Sequence, residues 1–231
     1  MDRVVPALLL LFVATPTLAK VDRRLAARMY RDLQSGALKK LSLYRGASTG
    51  TAFTTARRLQ CPADPEALSR AVGSRLMSRS PVVTGLTSSP YTAGCFALGV
   101  RDGEPRSVQV FGAGHGFVGV TEGRLLPADR FTTLLERYRN ALPTLLALMG
   151  KKRIVVDAEQ LTRSLAERYP GILTAGFQRM IGASLDREAE YLVFGQQPRF
   201  DRVVEIARDD VVAPGASLGF NPVLLDRLAR H

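Results

Sequence analysis

Three short stretches of the chain hold side chains that could act on one substrate together. In Leu41-Ser42-Leu43-Tyr44-Arg45-Gly46, an arginine ends an apolar run beside a glycine. A guanidinium there offers a planar fork of donors to an anionic group; an ordinary edge-strand arginine would look the same. In Gly85-Leu86-Thr87-Ser88-Ser89-Pro90-Tyr91-Thr92-Ala93-Gly94-Cys95-Phe96-Ala97, consecutive hydroxyls run into Ala93, Phe96 and Ala97 at near-helical spacing. Such hydroxyls orient a neighbouring group, or serve only to cap a turn. In Glu188-Ala189-Glu190-Tyr191-Leu192-Val193-Phe194, two carboxylates at i and i+2 open an apolar strand and share one of its faces. A carboxylate pair can supply a general base and a stabiliser of developing positive charge; a solvated strand end is the plain alternative.

Other chemistries find less support. Gly112-Ala113-Gly114-His115-Gly116 has the look of a nucleotide loop. That fingerprint must open a helix, whose N-terminus meets the pyrophosphate, and Phe117-Val118-Gly119-Val120 reads as a strand instead. A glycine-rich turn or hairpin is expected there. No serine sits in a Gly-x-Ser-x-Gly elbow. Cys61, Cys95, His115 and His231 are too few and too scattered for a zinc site.

The elements that must position the three stretches follow from periodicity and breakers. Residues 20–34 read as an amphipathic helix, with Val21, Leu25, Met29 and Leu33 on one stripe and Ser35-Gly36 at its end. Residues 41–45 read as a strand. Asp64-Pro65 starts a helix whose buried face holds Leu68, Val72 and Leu76. Residues 95–100, 107–111 and 117–120 have strand texture. Residues 127–148 are helical in period, with a kink expected at Pro143. A strand over 151–156 leads to a helix with Asp157 and Gln160 at capping-box spacing. Strands are expected again over 190–194 and 202–206, and Asn221-Pro222 caps a last helix. Regular βαβα alternation is missing, so the class is α+β.

In this order the three stretches resemble the catalytic elements of mono-ADP-ribosyltransferase toxins of the cholera and iota type. Those enzymes carry an arginine on the first core strand, then a Ser-Thr-Ser-like turn leading to alanine and phenylalanine, then a Glu-x-Glu pair followed by a basic-aromatic pair. Tyr44-Arg45-Gly46 is similar to the first element. Thr87-Ser88-Ser89, with Ala93 and Phe96, is a permuted version of the second. Glu188-Ala189-Glu190, with Arg199-Phe200 beyond it, is similar to the third. The resemblance implies one α+β domain over residues 20–231, with a split, antiparallel-rich β core and an N-terminal helix. The helices at 127–183 would then be an insertion or lobe.

It also implies NAD as a substrate, no metal, and a protein arginine on a host or other target as the acceptor. Glu190 would stabilise the oxocarbenium-like sugar. Glu188 would serve as general base toward the incoming guanidinium. Arg45 would grip the pyrophosphate or nicotinamide-ribose end of NAD. Ser88, or its neighbours Thr87 and Ser89, would orient Glu190 by hydrogen bonding. Gly46 and Phe96 complete the NAD-binding set.

Location and charge add two constraints. Arg3, the apolar run over 4–13 and the small residues Thr15-Pro16-Thr17-Leu18-Ala19 have the order of a secretory signal over 1–19. The apolar stretch over 4–19 is shorter than the roughly 20 residues a spanning helix needs. A secreted or periplasmic protein with no stable membrane span after cleavage is therefore expected. In an oxidising compartment Cys61 and Cys95 either pair or stay as buried thiols. A net charge of +11 attracts acidic partners. The arginines are spread rather than interleaved with aromatics, so no nucleic-acid partner is expected. Two readings result. One is an exported NAD-dependent mono-ADP-ribosyltransferase, a toxin or effector, with or without a translocation partner. The other is a secreted, non-enzymatic basic protein that binds or inhibits an acidic partner.

Overall fold

The computed structural model describes residues 22–54, 58–74, 81–98, 115–172, 189–211 and 221–229. Its sheet is organised around β3 (His115–Leu125), the longest strand. One edge of β3 pairs antiparallel with the whole of β1 (Lys39–Ala47), from Lys39↔Leu125 to Ala47↔Phe117. The other edge is shared. β6 (Arg202–Ala207) runs antiparallel along its first half, and β4 (Ile154–Asp157) runs parallel at Arg124 and Leu125. β5 (Glu190–Phe194) pairs antiparallel with both β4 and β2 (Val83–Thr87), and β2 returns to β1 at Tyr44↔Thr87. The result is a mixed α/β fold whose core is a closed five-strand barrel, β1-β2-β5-β4-β3, with β6 attached to β3. The expected split core is thus a ring, and its one parallel pair, β3–β4, departs from an all-antiparallel pattern.

Alternation along the strands sorts side chains between the two faces of the ring. Leu43, Leu86, Val155 and Val193 fill the interior, with Leu41, Tyr191 and Phe200 packed against them. So small a barrel leaves little room. Gly123 of β3 meets this by carrying no side chain where Leu43 Cδ1 would lie 2.5 Å from an added Cβ.

Outside the ring lie two helical layers. The larger buries Val83, Ile154, Val156, Leu192 and Phe194 under five helices: α1 (Arg23–Gln34), α2 (Pro65–Ser74), α4 (Ala128–Arg137), α5 (Leu142–Lys151) and α6 (Ala158–Arg168). The smaller joins α3 (Pro90–Leu98), α7 (Arg208–Val211) and α8 (Val223–Ala229) to Val118 and Ile206. The helices at 128–168 share one core with α1 and α2, so they are built into the main body rather than standing off as a lobe. No helix among the described residues is long and apolar enough to cross a membrane.

Local signals explain most boundaries. Asp22, Asp64, Asp157 and Asn221 each accept a backbone N–H at a helix start, from Arg24, Ala67, Gln160 and Val223 respectively. Two expectations are corrected, and one open alternative is decided. Within the strand expected over 95–100, residues 95–98 belong instead to the helix α3, because Ser89 accepts from the Thr92 N–H at 3.1 Å and Pro90 supplies a first-turn φ. Pro143 does not kink a continuous helix. Chain direction changes through a 3-10 turn (Arg139–Ala141), and Pro143 falls in the first turn of α5. Cys61 and Cys95 are free thiols rather than a disulfide: Cys95 is buried in the smaller cluster and Cys61 packs against the larger one. The signal segment over 1–19, the strand over 107–111 and Gly112-Ala113-Gly114 lie outside the described residues.

Asp32 ties α1 to α4. Its Oδ2 accepts from the Tyr138 hydroxyl at 2.6 Å and from Arg137 Nη1 at 2.9 Å, while Arg130 donates to its carbonyl. The Tyr138 hydrogen bond is the chief cause that holds the Asp32 carboxyl below its ordinary value; burial opposes it, and Arg137 and Arg28 assist. A lowered folded-state pKa contributes stability above the unfolded value, near 3.9, that is lost as pH falls through the folded value. Thermal melts of the wild type and Asp32→Asn, taken between pH 6 and pH 2.5, should therefore converge as the pH drops. A constant gap over that range would show that the carboxylate charge does not contribute.

Candidate active site

β1, β2, β5 and α3 border a cleft of about 180 Å³ lined by Tyr44, Arg45, Gly46, Gly85, Leu86, Thr87, Phe96 and Glu190. It opens where the barrel is joined by one ladder pair, Tyr44↔Thr87. One residue from each of the three stretches that could do chemistry meets there: Arg45, Thr87 and Glu190.

Each has a distinct support. Arg45 continues the alternation of Leu41 and Leu43, so it leaves β1 on the interior face, at the barrel's end. Its register partner is Gly119, over which Phe53 and Phe200 pack edge to face with centroids 4.9 Å apart. The basic-aromatic pair Arg199-Phe200 thus buttresses the strand position beside Arg45, and Arg199 also anchors the loop by accepting from Thr121 Oγ1 at 3.1 Å. Tyr44 and Gly46 face the other way, toward α3.

Contact between α3 and the sheet is backbone to backbone. A Cβ at Gly46 would lie 1.9 Å from the Ala93 carbonyl oxygen, and one at Gly116 would lie 2.3 Å from that of Ala97. The small residues Ala93 and Ala97 let the helix come this close, and both are buried. Phe96, on the flank of the same helix, is left 56% exposed at the cleft. A large apolar ring left in water beside a hollow is a surface on which a planar group can stack.

The three consecutive hydroxyls have three different jobs. Thr87, 5% exposed, ends β2 directly opposite Glu190, and its Oγ1 accepts from the Ser89 N–H at 3.0 Å. Ser89 caps α3. Ser88 donates its N–H to the Ala189 carbonyl at 3.2 Å. Neither Ser88 nor Ser89 belongs to the cleft lining, and of the three hydroxyl residues Thr87 is the one registered against Glu190.

Glu190 opens β5, and its carboxylate lies over Gly85. The preceding Ala189 has φ 43°, a left-handed conformation that costs an L-residue roughly 1–2 kcal/mol. The extended alternation invoked to put Glu188 on the face of Glu190 therefore stops at Ala189. Glu188 itself lies outside the described residues. Sequence reasoning had not singled out Tyr44, Gly85 or Leu86 as site residues. For Gly85 a signal was available, since a glycine inside a β-branched run often marks close approach by another group.

No protein-family model matches the chain, and comparisons with curated proteins and with solved structures give no significant match.

The α3 contact makes a sharp prediction. Gly46→Ala must push two backbones apart, at a cost on the order of 3 kcal/mol, or roughly 6–12 °C in Tm for a chain this size. Ser89→Ala removes only a cap, about 1 kcal/mol. A melting point for Gly46→Ala within 2 °C of wild type would mean that α3 does not rest on β1 as described.

Proposed function

We propose that the protein is an exported mono-ADP-ribosyltransferase that uses NAD to modify a protein arginine. What carries the reading is one observation: Arg45, Thr87 and Glu190, far apart in sequence, line a single cleft. At about 180 Å³ the cleft is smaller than the ~300–1,000 Å³ pockets that enclose drug-sized ligands. It suits one ring and its sugar, the reacting end of NAD, and leaves the rest of the dinucleotide to extend from the open mouth. The nicotinamide ring would have Leu86 and Phe96 as apolar partners, and Arg45 supplies the donor fork for the neighbouring anionic group.

The chemistry asked of the chain is modest in its parts. The bond between nicotinamide and ribose breaks, nicotinamide leaves with the bonding pair, and the sugar carbon joins a guanidinium nitrogen of the target. Glu190 stabilises the positive charge that develops on the ribose and accepts from its 2-hydroxyl. Thr87, across the ladder, limits the freedom of that carboxylate. Glu188 takes the proton released by the guanidinium, a very weak acid that needs such help. Export follows from the signal-like order of residues 1–19.

A second reading has its own support. Arg23, Arg24, Arg28 and Arg31 are all exposed on α1, a cationic face suited to an acidic protein. An inert cleft, with binding to an acidic partner lost on neutralising these arginines, would favour it.

Two variants test the first reading. Glu190→Gln should lower NAD hydrolysis roughly a hundred- to a thousand-fold with an unchanged melting point. Wild-type turnover in that variant would remove Glu190 from the chemistry. Glu188→Gln should keep slow NAD hydrolysis yet lose about 10²–10⁴ in transfer to an arginine acceptor. Equal loss of both reactions would refute its role as base.

A further inference from the structure

Resting on the NAD-cleaving reading, the geometry points to Gly85 as a positioning residue for Glu190, kept bare so that the carboxylate can lie across β2. Glu190 faces Thr87 directly in the ladder, and Gly85 faces Leu192 two pairs further along. All four side-chain positions are on the same outer face of the ring. The Glu190 side chain leans diagonally along β2. Its Oε1 comes within 2.2 Å, and its Cδ within 3.1 Å, of the point where a Cβ on residue 85 would stand. No L side chain at 85 is compatible with the carboxylate in that place.

Backbone shape does not account for this glycine. Residue 85 is extended, within β2, between Thr84 and Leu86. Glycine in such a position weakens the strand by roughly 0.5–1 kcal/mol relative to alanine. What the site requires is space.

The root of Glu190 is meanwhile pinned. Its own residue is registered against Thr87, and the Ala189 carbonyl before it accepts from the Ser88 N–H. Left-handed Ala189 sets the direction from which the strand is entered. With the root held, side-chain rotation sets where the carboxylate lies, and the rotation it adopts requires that residue 85 carry no Cβ.

This distinguishes Gly85 from other crowded glycines of the fold. At Gly46, Gly150 and Gly195 an added Cβ would strike backbone atoms: the Ala93, Phe194 and Leu146 carbonyl oxygens, at 1.9, 2.5 and 2.2 Å. Those substitutions must distort the fold. At Gly85 the obstacle is the far end of a flexible side chain. A methyl group there moves the carboxylate and spares the strands. A displacement of about 1 Å can cost a reaction about a hundredfold.

The test is Gly85→Ala in the full chain. The expected result is a melting point within about 2 °C of wild type, NAD affinity by calorimetry within about threefold, and kcat for NAD hydrolysis lowered about a hundredfold. The loss should depend on the reach of residue 190. In the Glu190→Asp background, whose shorter side chain does not extend over residue 85, Gly85→Ala should change the remaining rate by less than about threefold. Equal loss in both backgrounds, or wild-type kcat in Gly85→Ala, would overturn the proposal. The ¹³C shift of the Glu190 carboxyl, assigned by its disappearance in Glu190→Gln, reads the same geometry without turnover. A changed shift in Gly85→Ala, with no NAD cleavage by the wild type, supports the positioning and ends the NAD reading alone. An unchanged shift overturns the positioning whatever the turnover.

Discussion

A single ladder pair, Tyr44 with Thr87, closes the five-strand ring. On one side of it the strands hold a barrel interior of Leu43, Leu86, Val155 and Val193. On the other they border the cleft. Closure through so short a contact has two consequences. It forces β1 and β5, which do not pair with each other, to flank the same strand end, and it leaves a gap there that no ladder hydrogen bond fills. Arg45 and Glu190 line the same cleft because both of their strands are tied to β2.

Small residues do the rest of the positioning. Gly46 and Gly116 let α3 settle on β1 and β3 at backbone contact, which brings the Phe96 ring to the cleft and turns Tyr44 toward the smaller core. Gly119 and Gly123 keep the interior face of β3 narrow enough for Phe53, Phe200 and Leu43 to pack against it. In each case the glycine is defined by what lies opposite it in space. The larger core, with Phe131 and Phe194 stacked at 5.2 Å, gives this side of the ring its rigid backing.

The charges on which the two alternative readings rest lie on different parts of the molecule. On α1 the arginines lie outward while Met29 and Leu33 are buried, and Asp32 is spent on Tyr138 and Arg137. The cleft draws its charge from Arg45 and Glu190, on different elements. A basic face and a mixed-charge hollow can therefore be altered independently, which makes the two functional readings separable by mutation.

Local chemistry was enough to read α1, α2, α6, β1, β4, β5 and β6 from the sequence, because caps, prolines and apolar period act over a few residues. The resemblance of three short stretches to toxin catalytic elements singled out Arg45, the Thr87-Ser88-Ser89 turn and Glu190. Three things lay beyond local chemistry. The helix α3 was masked by its apolar, β-like texture until Ser89 and Pro90 were seen to cap it. Which of the three hydroxyl residues faces Glu190 depends on register between β2 and β5, and that register is set by packing of both faces at once. The space at Gly85 exists only relative to a carboxylate more than a hundred residues later. The sequence by itself determined which residue types and which local elements are present; ring closure, register and the glycine-backbone contacts were decided by tertiary structure, since they depend on distances between segments that the linear chain does not encode one at a time.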